Sequence, residues 1–342
     1  MKQKLLVILF CIFSVLSVMG CDSASSINTI PDGPILLPID YTSQILLDTD
    51  ETIIDGGINE YFAILLTSKS RLIAWGYNIE GQLGTGNNTK IDSPTDVTSH
   101  INLNTGKTIT DISIGACSKH TMLLTSEYRV LTYGYNYHGQ LGDGSSSNKN
   151  TASDITANFN LNANEHIISI FSGGDTSSAV SSDGRVFVWG RNEESQVGNG
   201  TNIDQSLPQD ITSNFTFYTN EVITSIEHGL SHTHAITNQG RLFAWGVTSY
   251  NYRQFGDPSI TNGSSVPVDI TDSFQLSTGE EFTTIRAGWV FASMITSEGR
   301  YFSCGYNYYG QLGDGIKALD MIAYPVDLST NLNLASGEQI AH

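Results

Sequence analysis

Basic residues are scarce in this chain of 342 residues, which carries 16 Lys and Arg against 34 Asp and Glu. The formal net charge is −18. Nucleic acids and anionic lipid headgroups bind to basic patches, so this charge disfavours nucleic acid as a partner. Prolines are also few, at 8, whereas glycines number 33, a balance typical of short strands joined by many turns.

Cysteine is scarce as well, with four in the chain. Cys11 and Cys21 fall in the N-terminal segment, which leaves Cys117 and Cys304 for the remainder. These two do not occupy corresponding positions in the repeats described below, so we expect buried free thiols rather than a disulfide. No C-x-x-C or H-E-x-x-H pattern is present, and the sequence therefore predicts no metal site and no cofactor.

The one long apolar run, from Leu5 to Val18, follows Lys2 and Lys4 and is shorter than the roughly 20 residues of a spanning helix. It ends in Val-Met-Gly before Cys21, which resembles the lipobox of bacterial lipoproteins. The resemblance implies a signal peptide over 1–20, lipidation of Cys21 and a flexible tether over 21–37. We therefore expect an exported protein, lipid-anchored to the outer face of a bacterial membrane; an uncleaved anchor is the alternative.

A phrase that runs from arginine to an aromatic residue and glycine recurs five times, at 71–76, 129–134, 185–190, 241–246 and 300–305. The last copy has Cys304 in the aromatic position. Each copy is followed by a Gln-Leu-Gly sequence or a near copy, and its glutamines, Gln82, Gln140, Gln196, Gln254 and Gln311, are spaced by 58, 56, 58 and 57 residues. This fixed period predicts one domain built from structural repeats.

A second element, usually Pro-x-Asp-x-Thr, recurs with aspartates at Asp40, Asp96, Asp154, Asp210, Asp269 and Asp327. Short apolar and β-branched runs separated by turns such as Ser182-Asp183-Gly184 are typical of hairpins. Together these pieces give about four strands per repeat. The sequence therefore predicts an all-β fold, a β-propeller of four-stranded blades.

The turn after each phrase resembles the Gly-x-Asn-x-x-Gly-Gln-Leu-Gly turn of the regulator-of-chromosome-condensation (RCC1-like) repeat family. The matching positions, interpreted as structural, are Gly76, Asn78, Gly81, Gln82, Gly84, Gly134, Asn136, Gly139, Gln140, Gly142, Gly190, Asn192, Gln196, Gly198, Gly246, Gln254, Gly256, Gly305, Asn307, Gly310, Gln311 and Gly313. The third copy has Ser195 in place of the second glycine. The resemblance covers 38–342 and implies a propeller, usually of seven blades. Because five complete repeats are visible and the chain stops within the next, we expect an incomplete or truncated ring.

No catalytic motif is visible, and we predict no catalytic residue. His232 and His234 would face the same side of a strand, an arrangement that a metal pair could use. His232 nevertheless stands at a repeat position that Phe62, Thr176 and Phe291 fill elsewhere, so we favour a structural role.

The candidate binding residues are tyrosines in the turns that follow the phrase: Tyr77, Tyr135, Tyr137, Tyr250, Tyr252, Tyr306, Tyr308 and Tyr309. Equivalent turns of a ring lie at equivalent places, so these side chains would form an amphipathic patch, although packing between blades is the alternative. The prediction is non-catalytic binding of another macromolecule, protein or glycan. The family resemblance also leaves open guanine-nucleotide exchange on a small GTPase, and a glycan-active enzyme is a further alternative.

Overall fold

The computed structural model describes residues 44–59, 61–247, 254–308, 310–315 and 322–329. The signal segment 1–20, Cys21 and the tether 21–37 lie outside them. The described residues form five four-stranded antiparallel sheets, which confirms the all-β prediction of four strands per repeat.

The sheets follow one another along the chain, and each is one blade. The strands of blade 1 are β1 Ile53–Ile58, β2 Phe62–Thr67, β3 Leu72–Gly76 and β4 Ile91–Asp96. Those of blade 2 are β5 Ile109–Ser113, β6 His120–Thr125, β7 Val130–Gly134 and β8 Lys149–Asp154. Those of blade 3 are β9 Ile167–Gly173, β10 Thr176–Ser181, β11 Val186–Gly190 and β12 Gln205–Asp210. Those of blade 4 are β13 Ile223–His228, β14 His232–Thr237, β15 Leu242–Gly246 and β16 Ser264–Asp269. Those of blade 5 are β17 Phe282–Ala287, β18 Phe291–Thr296, β19 Tyr301–Gly305 and β20 Ile322–Asp327.

The blades are arranged around the first strand of each sheet. β1 contacts β5, β5 contacts β9, β9 contacts β13 and β13 contacts β17, so the first strands line the centre. Among the described residues no comparable contact joins β17 to β1. The second strands β6, β10 and β14 are buried along their whole length because neighbouring blades cover both faces.

The Pro-x-Asp-x-Thr element fastens the fourth strand to the third. In blade 2, the Asp154 carboxylate accepts bonds from the amide and hydroxyl of Thr156 at 3.0 and 2.6 Å. The Thr156 hydroxyl in turn accepts the amide of Val130 at the start of β7, at 3.0 Å. Short 3₁₀ turns begin at these threonines, at Thr98–His100, Thr156–Phe159, Thr212–Asn214 and Thr271–Phe274. The repeated aspartates are therefore part of the joint between strands.

The aromatic residue of the repeated phrase packs between blades. Trp189 and Trp245 are fully buried, and their indole N–H groups donate to the carbonyls of Gln140 and Gln196 in the preceding blade at 2.9 and 2.8 Å. In blade 5 the smaller Cys304 donates its thiol to the Gln254 carbonyl at 3.1 Å. The preceding turn has Phe255 at its next position, where other copies have valine or leucine, and Phe255 packs in the same core as Cys304.

The thiol prediction is correct at Cys304, which is free and buried. Burial raises the pKa of this thiol to about 12, so it stays protonated at neutral pH. At Cys117 the prediction is wrong, since this residue is disulfide-bonded. Its partner is not Cys304, which is free.

In blades 1, 3, 4 and 5 an ion-pair network joins the repeated arginine to two carboxylates. In blade 4, Arg241 donates to Glu221 at 2.7 Å and to Asp269 at 2.7 Å, and the Glu221 side chain is fully shielded from solvent. The same glutamate position is filled by Glu51, Glu165 and Glu280 in blades 1, 3 and 5. Blade 2 has Lys107 at this place, so its Arg129 pairs with Asp154 without the buried glutamate.

Within the described part of the chain, no helix has both the length and the apolar character needed to cross a membrane.

Candidate functional site

The asparagine of the repeated turn is a buried backbone clamp. The Asn136 amide oxygen accepts the N–H of Leu141 at 2.9 Å, and its NH₂ group donates to the carbonyls of Ser145 and Ser147 at 3.1 Å. Asn78 and Asn192 make the corresponding bonds to Leu83 and Val197. These side chains satisfy backbone groups of a long turn that would otherwise lie buried without partners.

The glutamine of the turn connects neighbouring blades. The Gln140 side-chain oxygen accepts the N–H of His138 at 3.0 Å, and its NH₂ group donates to Asp175 of blade 3 at 3.0 Å. Its backbone carbonyl accepts both the Ser177 hydroxyl and the Trp189 indole. The glutamine therefore holds the turn of blade 2 against β10 and β11 of blade 3. Because every joint between blades needs this link, the glutamine recurs at a fixed spacing.

The second glycine of the turn has a positive φ in blades 1, 2 and 5, at Gly81, Gly139 and Gly310. Ser195 takes the same left-handed conformation in blade 3, with φ at 59°. This left-handed conformation is sterically strained for a residue with a Cβ atom but not for glycine. A Cβ atom added to Gly139 would also lie 2.6 Å from Cα of Ser206, a contact closer than van der Waals packing permits.

We expect Ser195→Gly to raise the free energy of unfolding by about 0.5–1 kcal/mol, because relief of the left-handed strain exceeds the added entropy of the unfolded chain. The reverse change, Gly139→Ser, should lower it, since strain and steric clash then act together. Urea unfolding of both variants beside the unmodified protein measures the two effects. A loss of stability in Ser195→Gly would contradict this account.

Five of the predicted tyrosines lie in the described turns at the ends of β3, β7 and β19, and we call Tyr77, Tyr135, Tyr137, Tyr306 and Tyr308 the tyrosine face. The third strands of all blades run in the same direction, so these turns share one face of the ring. Tyr137 is 69% exposed and Tyr308 is 48% exposed. Tyr250, Tyr252 and Tyr309 lie outside the described residues.

The tyrosines of this face stack in pairs. The rings of Tyr135 and Tyr137 have centroids 6.5 Å apart and planes at 11°, and those of Tyr306 and Tyr308 lie 6.2 Å apart at 13°. In blade 1, Tyr77 lies 6.0 Å from Tyr61 in a tilted arrangement. Because stacking limits rotation of each ring, the exposed surfaces are presented in a fixed orientation.

The pair in blade 2 adjoins a polar cluster at the border with blade 3. His138 contacts Tyr137 edge-on at 5.1 Å, and its Nδ1 lies 2.7 Å from an oxygen of Asp204. Its Nε2 lies 4.0 Å from Asp175. Burial raises the pKa of the Tyr135 hydroxyl, and the negative charges of Asp175 and Glu80 raise it further. The aromatic surface is therefore bordered by carboxylates.

The histidines of β13 and β14 are buried between blades. His228 contacts the hydroxyls of Ser178 and Thr233 at 2.8 and 3.0 Å. The rings of His232 and His234 lie 5.3 Å apart and both are fully buried. Neither nitrogen of His232 has a hydrogen-bond partner, whereas His234 interacts with the backbone of Gln254. Burial lowers the pKa of His232 to about 4 and that of His234 well below 6.5. These rings are neutral at pH 7, and they lie in a packed interface.

No group of three or more His, Cys, Asp or Glu side chains among the described residues is arranged to hold a metal ion. The Asp-Gly and Asn-Gly sequences after the turns serve the fold instead. The Asp143 carboxylate accepts the amide and hydroxyl of Ser145 at 2.9 and 2.8 Å, and Asn199 does the same for Thr201.

Sequence reasoning missed Asp175, His138 and Glu80 as neighbours of the tyrosines. Asp175 precedes β10, whereas the tyrosines follow β7, and only the docking of blade 3 on blade 2 brings them together. One signal was available: Asp175 stands one residue before Thr176, as Lys119 stands before His120, so the two fill the same repeat position. A comparison of charges at that position would have marked it.

Comparison with known proteins gives relatives of the same repeat type. The chain is 29% identical over 280 residues to the ultraviolet-B receptor UVR8 of Arabidopsis thaliana, a match that covers 82% of this chain and 58% of the receptor. It is 26% identical over 255 residues to the human E3 ubiquitin-protein ligase HERC2, covering 74% of this chain and 5% of the ligase. The chain thus spans little more than half of one relative and a small part of the other.

Solved structures show the same fold. Human WBSCR16 superposes with a TM-score of 0.68 at 21% identity, covering 87% of this chain and 70% of that one. Prp20p of Saccharomyces cerevisiae superposes with a TM-score of 0.67 at 18% identity, covering 83% and 64% of the two chains. The family model of the RCC1-like domain matches residues 38–341. With the five blades and their clamped turns, this match shows that the chain belongs to the RCC1-like domain family.

Proposed function

We propose that this chain is a lipid-anchored, exported propeller that binds another protein through its tyrosine face and catalyses no reaction. The observation that supports it most is the stacked pair of tyrosines, Tyr135–Tyr137 and Tyr306–Tyr308, which recurs at equivalent turns with one ring exposed in each. Rigid aromatic rings supply contact area at a low entropic cost, which is why tyrosine is enriched in binding interfaces.

A protein partner is favoured over a glycan by the family. Prp20p, which shares the fold, binds Gsp1p and histones. Such similarity transfers fold more readily than function, so the partner of this chain has to be found through its own surface. Acceleration of nucleotide release from a small GTPase would favour exchange activity in place of plain binding.

The anchor is supported by the apolar run and the lipobox-like sequence before Cys21. Two or more acyl chains would hold the protein stably on a membrane, since each buried methylene contributes about 0.8 kcal/mol. The intact mass of protein extracted from membranes with detergent tests it: a lipidated chain that starts at Cys21 is expected. Cys117 is disulfide-bonded, so the same measurement also shows whether Cys21 carries lipid or is the partner of Cys117. Unmodified protein that retains residues 1–20, or a disulfide between Cys21 and Cys117, would contradict the anchor without affecting the binding proposal.

The binding proposal predicts that Tyr135→Ala combined with Tyr308→Ala weakens a saturable protein interaction at least tenfold. The partner is sought by biolayer interferometry against a panel of purified extracellular proteins and glycans, and its Kd is then measured for each variant. Tyr128→Ala is the matched control, because Tyr128 is also 48% exposed but lies in the hairpin turn at the opposite end of the strands. Equal loss in the control, or none in the double variant, would refute the role of the tyrosine face.

A further inference from the structure

Two carboxylic acids meet where blade 1 joins blade 2, beside the centre of the ring. Asp55 of β1 and Asp111 of β5 fill the same position in the first strands of neighbouring blades, and their side chains are hydrogen-bonded to each other. Asp55 is exposed and Asp111 is half-buried. The other three blades have hydroxyl residues at this position, namely Ser169, Ser225 and Thr284. Among the described blades, only this joint brings two acids together there.

The backbone of β1 allows this close approach. Gly57, two residues after Asp55, has no side chain, and a Cβ atom added to it would lie only 2.5 Å from the Cβ atom of Ile114, just after β5. The two strands are also joined nearby, because the Ser70 hydroxyl accepts the N–H of Ile109 at 2.6 Å. The packing of β1 against β5 therefore holds the two carboxyl groups together.

A hydrogen bond between two carboxyl groups needs one proton. Asp55 accepts the N–H of Gly56 through its Oδ1 at 2.7 Å, as an ionised carboxylate does, so Asp111 carries the proton and donates it to Asp55. Burial raises the pKa of Asp111 to about 7, together with the hydrogen bond to Asp55 and its charge. When the proton is released to solvent, two carboxylates at hydrogen-bond distance repel each other.

We propose that Asp55 and Asp111, which we call the carboxyl pair, make the joint between blades 1 and 2 sensitive to pH. With one shared proton the hydrogen bond closes the joint beside the centre of the ring. Without that proton the two carboxylates push β1 and β5 apart and the joint loosens. Tyr77 belongs to blade 1 and Tyr135 to blade 2, so a looser joint also changes the spacing of the tyrosine face. The inference concerns the joint itself and needs no partner.

Other charged groups have little influence on the carboxyl pair. Among the described residues, Asp55 is the only charged side chain that shifts the pKa of Asp111. Glu227 and Arg286, on the first strands of blades 4 and 5, pair with each other at 3.1 Å. The one titratable group of β6, His120, is hydrogen-bonded to a hydroxyl of blade 3, and burial lowers its pKa to about 3, so it stays neutral. β2 and β9 contain no titratable residue.

The sign of the effect follows from the raised pKa. In an open joint Asp111 returns to its ordinary pKa near 3.9, so the closed joint holds a proton that the open joint releases. The stabilising effect is complete below about pH 4 and is lost as the pH rises through about 7. The equilibrium constant for opening should therefore rise about tenfold for each pH unit between pH 5 and pH 7, and level off above pH 7.

The shared proton is observed directly by NMR. The sample is the whole protein without residues 1–20, with ¹³C in the carboxyl carbons of its aspartates. Between pH 5 and pH 8.5 one carboxyl resonance should titrate near pH 7, and it should be absent from Asp111→Asn. If every aspartate has finished titrating below about pH 5.5, the carboxyl pair holds no shared proton and the inference is overturned.

The loosening of the joint is measured by hydrogen–deuterium exchange with mass spectrometry, on peptides that contain β1 or β5. After correction for the intrinsic effect of pH, protection of these peptides should fall at least about tenfold between pH 5.5 and pH 7.5 in the unmodified protein. Asp111→Asn should abolish most of this fall, because its amide donates to Asp55 at every pH. Peptides from β13 and β17, which have Ser225 and Thr284 at this position, should not show it.

Asp183→Asn is the matched control, because it removes the same charge from an exposed hairpin turn and should keep the pH dependence of β1 and β5. If Asp111→Asn does not fold, Asp111→Ser replaces it, since Ser169 and Ser225 fill this position in other blades. An equal fall in the Asp111 variant and the unmodified protein would overturn the inference, as would no fall in the unmodified protein. Neither result affects the proposed function, which the binding of the tyrosine variants decides.

Discussion

Between pH 8 and pH 5.5 the protein loses free energy of unfolding, and replacing His232 with Phe and His234 with Met should reduce that loss by about 3 kcal/mol. Both replacements occur naturally at the same positions of other blades, as Phe62 or Phe291 and as Met122. The fit at position 232 has a direct precedent. The Phe291 ring lies against Gly288 in blade 5 as the His232 ring lies against Gly229 in blade 4.

The sign follows from the direction of the pKa shifts. Unfolded histidine has a pKa near 6.5, whereas burial lowers the pKa of His232 to about 4 and that of His234 well below its ordinary value. Below pH 6.5 the unfolded chain therefore takes up protons that the folded chain does not. Stability is complete above pH 6.5 and falls by about 1.4 kcal/mol for each histidine at pH 5.5.

Other buried groups also make the free energy of unfolding depend on pH, but they are present in both the variant and the unmodified protein. Burial also lowers the pKa of His120 and His228 to about 3, which adds to acid sensitivity. Burial and the neighbouring Asp55 raise the pKa of Asp111 to about 7, which opposes it. Since the variant retains all of these groups, the difference between the two proteins isolates His232 and His234.

Urea unfolding at pH 8 and pH 5.5 measures the effect. His100→Gln is the control, because His100 is exposed and its replacement should leave the pH dependence unchanged. At pH 8 the double variant should be at least as stable as the unmodified protein, since it removes the two buried nitrogens of His232 that have no partner. If the variant and the unmodified protein lose equal amounts of unfolding free energy between pH 8 and pH 5.5, the two rings must find hydrogen-bond partners in solution.

Glu221→Ala should lower the free energy of unfolding by about 3 kcal/mol, since it leaves Arg241 half-paired in a nearly dry site. Arg241 is 11% exposed, and its guanidinium group lies 4.1 Å from the Tyr218 ring. It keeps its bond to Asp269 in the variant, but the buried half of the network is lost. Replacing Glu221 and Arg241 together with Met should cost less than Glu221→Ala, because no uncompensated charge remains.

Blade 2 offers the reverse experiment within the same chain. Lys107→Glu would place a carboxylate beside Arg129 and within reach of the Thr125 hydroxyl, as the equivalent Glu165 is bonded to Arg185 and Ser181 in blade 3. Either substitution loses the ion pair of Lys107 with Glu127, so the comparison is between the two variants. We expect Lys107→Glu to be about 1 kcal/mol more stable than Lys107→Gln, which lacks the charge. Thermal or urea unfolding measures the stability of all four variants, which are Glu221→Ala, the double Met variant, Lys107→Glu and Lys107→Gln. A Lys107→Glu protein no more stable than Lys107→Gln would refute the network as a source of stability.

The sequence by itself determined the fold class and the repeat. A fixed spacing of the Gln-Leu-Gly turns, with strand-length apolar runs between them, is compatible with few architectures, because each repeat must bury the same faces against its neighbours. The turn residues could also be predicted from the sequence. The positions of Asn136 and Gln140 keep the same residue types along the chain because one side chain at a fixed place satisfies the same backbone groups of the turn.

Only the tertiary structure decided what those repeats bring together. Asp175 bonds to Gln140 and lies near Tyr135 because blade 3 docks on blade 2, and their separation along the chain carries no sign of it. The same holds for Cys304, which shares a core with Phe255 of the preceding blade. Periodicity fixes what is common to all blades, whereas charge and volume at a single joint depend on which two side chains meet there.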